Sequence, residues 1–431
     1  MRTKLLALFE AAVGAAHPAV CLGPYLPAVP ADGRLVVVGA GKAAGAMACT
    51  AEAHYATRGT LERVGGCVTV PYGYAETLAS TRAIEVGSAH HPTPDQESVR
   101  AAEKALTLVG AATPRDLVLV LLSGGASALW AAPTKGLELA AKTGLTRGLL
   151  KCGADIHEMN TVRRHLSRIK GGRLRTACPA RMLTLAISDV PGDDPATIGS
   201  GPTVSDPTTL ADARAVLAHH RGQMQALGLP IPAAVEEALA DPVNETPKPG
   251  DPAFATADYR IIATPAAALA AAAALARRQG YEVIDLGDSV TGEAREVARE
   301  HAQLARRTKS EGRKVAIISG GELSVTVRNA KGRGGRSQEY ALALALALDG
   351  LAGVAALAAD TDGIDGGEGR LTDPAGATID ATTLSRVRHL SANNFLDNND
   401  ATAFFEAAGG LVLRGPTHTN VNDFRVILVD T

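Results

Sequence analysis

LVVVGAGKAAGAMA, residues Leu35–Ala48, is a β-branched run that breaks at glycine and resumes as an Ala-rich helical pattern. A continuous apolar strand, a tight glycine turn and a helix make up the α/β unit. The same order recurs along the chain. Leu117–Leu122 runs into SGGASALW, Met182–Ile187 into SDVPGDD, Val315–Ile318 into SGGE and Val354–Ala359 into DTDGIDGG. Ile261–Ile262 precedes an Ala-rich helix, and Val283–Leu286 reads as a further strand. Uninterrupted apolar strands alternating with helices predict parallel sheets covered on both faces. The fold class is α/β.

The chain has 431 residues, which suggests two or three domains. With 46% apolar and 20% charged residues it can bury real cores, which excludes a disordered or fibrous chain. A net charge of −2 and 3% aromatics argue against nucleic-acid binding, which would show a basic excess and stacking side chains. No apolar run reaches the roughly 18 residues of a membrane span, so no membrane partner is expected. The N-terminal MRTKLLALFEAAVGAA is interrupted by Glu10 and reads as a buried amphipathic helix rather than a leader. Five widely spaced cysteines without a CxxC pair suit a reduced, cytoplasmic protein.

DPVNETPKPGDPAFA, residues 241–255, holds four prolines and reads as a linker. It separates a larger Rossmann-like parallel-sheet domain, residues 1–245, from a smaller C-terminal α/β domain, residues 255–431. In open α/β sheets ligands bind beyond the carboxyl ends of the strands. The glycine-rich turns lie there, so the active site is expected in the cleft between the domains.

Each turn has its own chemistry. Gly39 and Gly41 admit an anion close to the backbone at a helix start, and Lys42 adds a cation. Spacing Gly39–Gly41–Ala44 also matches a loose dinucleotide fingerprint, although an acid about 20 residues on would have to be Glu62, before a strand rather than at its end. Ser123, Gly124, Gly125 and Ser127 offer donors without forming a nucleophile elbow. Between Arg163 and Arg175 six cations fall within thirteen residues, including Arg164, Arg168, Lys170 and Arg173. With the chain near neutral, they point to a small anion or to a solvated basic helix. Asp189, Asp193 and Asp194 sit in a loop suited to a Mg²⁺ ligand or to plain turn chemistry. In GRGGRSQEYALALALAL, Arg333 and Arg336 stand at a helix start, with Ser337 as the expected cap. Asp360, Asp362, Asp365 and Glu368 miss the EF-hand spacing. Thr417, His418, Thr419, Asn420, Asn422 and Asp423 form a dense polar cluster before the last strand.

VVVGAGKAAGAMA, HPTPDQES, LLSGGASAL, MNTVRRHLSRIKGGRL, ISDVPGDDPATIGSGPTVSDPTT, ISGGELSVTV, GRGGRSQEYALALAL, DTDGIDG and GPTHTNVND occur here in one order, from about residue 34 to 428. Together they resemble the glycerate 2-kinases that carry a C-terminal MOFRL ("multi-organism fragment with rich leucine") domain. One departure is visible, at Pro191 in SDVPGDD, where a small apolar residue is expected. The resemblance implies ATP- and Mg²⁺-dependent phosphorylation of D-glycerate at its 2-hydroxyl. It places the catalytic lysine on Lys42 and the catalytic arginine on Arg336, with Asp189 as a candidate base. Gly39, Gly41, Ser123, Gly124, Gly125, Ser127, Gly320, Gly321 and Glu322 are the implied nucleotide and phosphate contacts. Asn160, Arg163 and Arg164 are the implied substrate contacts, and Asp189 and Asp362 the implied metal ligands. The expected partner is small-molecule glycerate, with a homodimer as a candidate assembly. The rival activity is an NAD(P)H-dependent hydroxypyruvate reductase, and a non-catalytic small-anion sensor is a third reading.

Overall fold

The computed structural model describes residues 1–367 and 369–431, so Glu368 lies outside the described residues. Two compact units emerge, one spanning Leu22–Ile262 and the other joining Met1–Cys21 to Ala263–Thr431.

The Leu22–Ile262 unit is built on β1 (Leu35–Ala40), β2 (Val64–Pro71), β3 (Ile84–Ala89), β4 (Leu117–Leu122), β5 (Arg181–Ile187) and β6 (Ala257–Ala263), in the order β3-β2-β1-β4-β5-β6. The pairings β2–β3, β1–β2, β1–β4 and β4–β5 are all parallel. This is the doubly wound order, and the chain reverses its direction of travel across the sheet between β1 and β4. Residues of β4 from Val118 to Leu122 are all buried, as a central strand covered on both faces demands. A second, purely helical core of the same unit packs the helices Leu139–Lys151, Ile156–His165, Leu210–Ala226 and Ala233–Ala240 around Leu145, Leu149, Val162 and Leu217. The Ile156–His165 helix starts at a capping box, where the Asp155 carboxylate accepts from the backbone N–H of Glu158 at 2.9 Å.

In the other unit, β7 (Glu282–Asp285), β8 (Val315–Ser319), β9 (Val354–Asp360), β10 (Gly376–Asp380), β11 (Leu411–Val412) and β12 (Asp423–Val429) form a sheet of order β11-β10-β9-β12-β8-β7. Only β7–β8 of the recorded pairs is parallel; β12 runs antiparallel to both β8 and β9, and β10 to β9 and β11. The expectation of parallel sheets throughout is therefore corrected here. A parallel crossover needs a dozen or more residues and usually a helix, and none of the described residues between β9 and β10, or between β11 and β12, is helical.

The segment at the expected division, residues 245–255, falls inside the Leu22–Ile262 unit. That proline-rich segment is tied into the first unit. Buried Arg175 donates to the Ala253 carbonyl at 2.7 Å and to Thr256 Oγ1 at 2.9 Å, while Glu245 meets His165 at 3.1 Å. Proline density marks an irregular path, not a lack of tertiary anchorage. The first helix, Arg2–Ala16, belongs with the C-terminal unit. Its face Leu5, Leu8, Phe9, Ala12 and Val13 is buried, Phe9 meets Phe424 at 6.1 Å between ring centroids, and Thr419 Oγ1 donates to the Ala16 carbonyl at 2.8 Å. Among the described residues no helix is long and apolar enough to cross a membrane.

Phe9 is fully buried, so Phe9→Ala is expected to destabilise the protein by about 3–5 kcal/mol. Thermal and urea melts check this; a loss under about 1 kcal/mol would mean the helix is a loosely held appendage.

Candidate active site

In the first unit the loops after β1 and β4 interlock at the reversal of the strand order. The Lys42 N–H donates to the Gly124 carbonyl at 2.8 Å and the Ala43 N–H to Ser123 Oγ at 2.9 Å. Gly41 has φ +134° and a Cβ there would lie 2.1 Å from Ser123 Oγ, so only glycine allows this interlock. Gly39, within β1, packs equally closely on the Leu121 carbonyl. Ser123 is thus a fully buried brace for the lysine turn rather than an open donor. Gly125 (φ +86°) is crossed by two side chains: its absent Cβ would be 3.1 Å from the His91 ring and 3.6 Å from Lys42 Cγ. Lys42 therefore runs over Gly125.

Gly125 and His91 also line a cavity of about 390 Å³ in this unit. Its walls include Leu139 and Leu150, and its cations are Lys142, Arg147, Arg163 and Lys170. No Asp or Glu is among its described lining residues. Lys170 Nζ donates to the carbonyls of Ser127 (2.7 Å) and Trp130 (3.0 Å) and to Ser127 Oγ (3.2 Å). Ser127 Oγ meets Ser200 Oγ at 2.8 Å, and Ser200 donates to Asn160 Oδ1 at 3.1 Å. Lys142 Nζ donates to the Leu166 carbonyl at 2.7 Å. Burial, reinforced by Arg163 and Arg173, pushes the Lys142 ammonium down to about 7. Burial, then Lys142 and Arg163, push Lys170 well below its ordinary value, and burial lowers Arg163.

Of the residues expected to contact substrate, Arg163 lines this cavity, and Asn160 supports it through Ser200. Arg164 is committed elsewhere. It is buried against Asp206 at 3.1 Å and donates to the Ala196 carbonyl at 2.7 Å. Asp189 follows β5, half-buried, at the carboxyl edge of the same sheet.

In the second unit Arg336 opens the helix Arg336–Leu348. A cation is disfavoured at a helix N-terminus, and three acids offset it. Nε lies 2.8 Å from Asp423, one terminal nitrogen 2.8 Å from Glu322 and the other 2.9 Å from Asp360. Burial works against the charge, but Asp423, Asp360 and Glu322 outweigh it and raise the guanidinium pKa. The expected Ser337 cap is corrected: Asp365 caps this helix from a distant loop, accepting from the N–H groups of Ser337 (3.0 Å) and Gln338 (2.8 Å). Burial pushes the Asp365 carboxyl up to about 7, partly offset by those N–H donors. Gly320 and Gly321 stand beside Glu322, where the Gly320 carbonyl accepts from Arg425 and the Gly321 carbonyl from the Asp423 N–H at 3.3 Å. Asp362 is buried and accepts from the Ile364 N–H at 2.8 Å. The polar cluster around His418 braces this turn, with Thr417 Oγ1 donating to the Thr361 carbonyl at 2.5 Å and the Val421 N–H to Thr361 Oγ1 at 2.9 Å.

A Mg²⁺ ion needs one or two carboxylates beside phosphate oxygens and water. Asp189, partly open at a strand end, fits that donor set. Asp362 fits it less well, with one carboxylate oxygen engaged by its own turn. Neither belongs to the three-ligand group found among the described residues, Glu158 with His219 and His220.

Lys142 was not foreseen from sequence. Its signal was there: it stands three residues from Leu139 and three from Leu145, a lone lysine on the apolar face of a helix.

A doubly wound parallel sheet with a lysine-bearing glycine turn at its switch point, and a mixed-sheet unit presenting a caged arginine, define an α/β anion-handling protein. A family described as a domain of unknown function, DUF4147, matches residues 4–240, and the MOFRL family matches residues 315–423. The D-glycerate 2-kinase of Thermotoga maritima is 35% identical over 100% of this chain and 98% of its own. The crystal structure of Thermotoga maritima glycerate kinase matches at a TM-score of 0.84 and 34% identity, covering 99% of each chain. An Agrobacterium vitis protein named "Putative hydroxypyruvate reductase" is 45% identical over 99% of this chain and 94% of its own. The chain belongs to the glycerate 2-kinase family with a C-terminal MOFRL domain.

The depressed Lys142 pKa carries a stability signature. In the unfolded chain a lysine titrates near about 10.4, so between about 7 and 10 the unfolded state binds the extra proton. Lys142 thus makes stability rise with pH across that window. Lys142→Met is expected to flatten that rise in urea melts at pH 7 and pH 9; an unchanged difference would show that Lys142 is solvated.

Proposed function

We propose that the protein transfers the γ-phosphoryl group of ATP to the 2-hydroxyl of D-glycerate, giving 2-phosphoglycerate and ADP, in the cytoplasm. The observation that carries this is Lys42, held over Gly125 by the interlocked turns at the switch point, in a chain that is collinear with a glycerate 2-kinase along its full length.

Phosphoryl transfer asks for positioning and fixed positive charge more than for covalent chemistry. The glycerate 2-oxygen forms the new bond to phosphorus, the bond to the ADP oxygen breaks, and the hydroxyl proton leaves to a base. Asp189 is the candidate for that base. Lys42 and Arg336 are the cations assigned to the charge on the transferring group, each on the strength of its own surroundings. Mg²⁺, when bound with the nucleotide beside Asp189, would neutralise phosphate charge. Arg336 meets this role with its fork geometry already fixed by Asp360 and Asp423.

The reductase reading finds little support. Glu62, the only candidate for a ribose-binding acid, is exposed in a turn immediately before β2. A dinucleotide site wants that acid at the far end of the strand.

An ADP-release assay with ATP and D-glycerate, with the product's phosphate position assigned by ³¹P NMR, tests the proposal. Lys42→Ala should remove most turnover, and Arg336→Lys should cut kcat by at least about 100-fold. Turnover within a few-fold of the parent in either variant would strike that residue from the mechanism. NADH consumption with hydroxypyruvate, in place of ADP release, would favour the reductase.

A further inference from the structure

We propose that the cavity lined by Lys142, Arg163 and Lys170 is the nucleotide site, with the phosphate chain on the three cations and the nucleoside against the Leu139–Leu150 wall. The inference rests on the kinase reading and deepens it by naming the residues that hold the phosphate donor.

Charge is the first argument. Lys142 and Lys170 are almost wholly buried, at 7% and 2% exposure, and Arg163 stands with them. No carboxylate is among the described residues that line the space. Burying cations beside one another is costly, and a negatively charged ligand would offset that cost and hold the lysines protonated. Arg147 adds a fourth, exposed cation to the lining, and a monocarboxylate such as glycerate would compensate only one of the four. A di- or triphosphate chain compensates more of them.

Size and surface are the second. A cavity of about 390 Å³ falls within the range of cofactor-sized ligands and is more than a three-carbon acid fills. Leu139, Leu150, Ala128 and Ala131 make much of the wall apolar. A hydroxy acid with oxygen on every carbon gains nothing from such a wall, whereas a base and ribose do.

Position is the third. Lys42 Cγ lies 3.6 Å from where a Gly125 Cβ would be, and Gly125 lines the cavity. A phosphate chain seated on the three cations would have the Lys42 turn at its border. Ser127, expected from the sequence as a phosphate contact, is the residue through which Lys170 is anchored. Arg163 moves under this proposal from the glycerate carboxylate to the nucleotide.

The chain's single tryptophan gives a direct probe. Trp130 is buried beside the cavity, and its carbonyl accepts from Lys170 at 3.0 Å. ADP binding to the full-length protein would be measured by calorimetry and by Trp130 fluorescence, in the parent and in Lys142→Met and Arg163→Met. Lys142→Met keeps the helix face apolar, and Arg163→Met provides a second variant at a less buried position. The parent should bind ADP with a fluorescence change, and each variant should raise the ADP Kd at least tenfold. For Lys142→Met the KM for D-glycerate should stay within twofold. An ADP Kd that does not move in either variant, or a parent that binds no ADP, overturns the assignment. A glycerate KM that rises in Lys142→Met while the ADP Kd holds would hand the cavity to the acid instead. Failure of the kinase reading is seen separately, as a parent that binds ADP yet releases none from ATP and D-glycerate.

Discussion

Removing a cation from water costs several kcal/mol unless something compensates it, and the two units meet that constraint in opposite ways. Arg336 is surrounded by Asp423, Asp360 and Glu322, so its charge is held and its pKa raised. Lys142, Lys170 and Arg163 share a cavity with no acid among its described lining, so burial lowers all three. One arrangement stores a guanidinium in a fixed orientation. The other gathers cations with no acid among the described lining residues. Both are expensive for folding alone.

The backbone that carries these charges is rigid for identifiable reasons. Ser123 and Gly41 lock the turn after β1 to the turn after β4, so Lys42 stands on two adjacent central strands rather than on a free loop. Asp365 fixes the first turn of the Arg336 helix from another loop, and its carboxylate takes the N–H groups that a local cap would otherwise take. Hydroxyls and carboxylates that look like ligand donors in the sequence are thus often braces. Ser123, Asp362 and Thr417 all engage hydrogen bonds within the turns that follow the strands. Arg164 shows the same economy: its neighbour Arg163 faces the cavity, while Arg164 points the other way on the helix and pairs with Asp206.

Much was legible in the primary structure because it is local. Apolar runs ending in glycine predict strands followed by tight turns, and every strand–turn unit from Leu35 onward formed where the pattern placed it. The positions of Lys42 and Arg336 in their turns were legible too, since each stands at a fixed offset from the glycines beside it. The polar cluster at Thr417–Asp423 was visible as a density of donors, though not as the brace it forms.

The order of residues along the chain determined the α/β class, the positions of the turns and the family, because these are recorded in local patterns of a few residues. Tertiary structure alone decided the rest. It drew the first helix into the C-terminal unit, carried β12 antiparallel between β8 and β9, and tied the proline-rich segment to Arg175. It also brought Lys142, from the Leu139–Lys151 helix, to Arg163 and Lys170 around one space with no acid among its described lining residues. The physical reason is that burial and charge compensation are sums over neighbours distant in sequence, and no local pattern records which neighbours those will be.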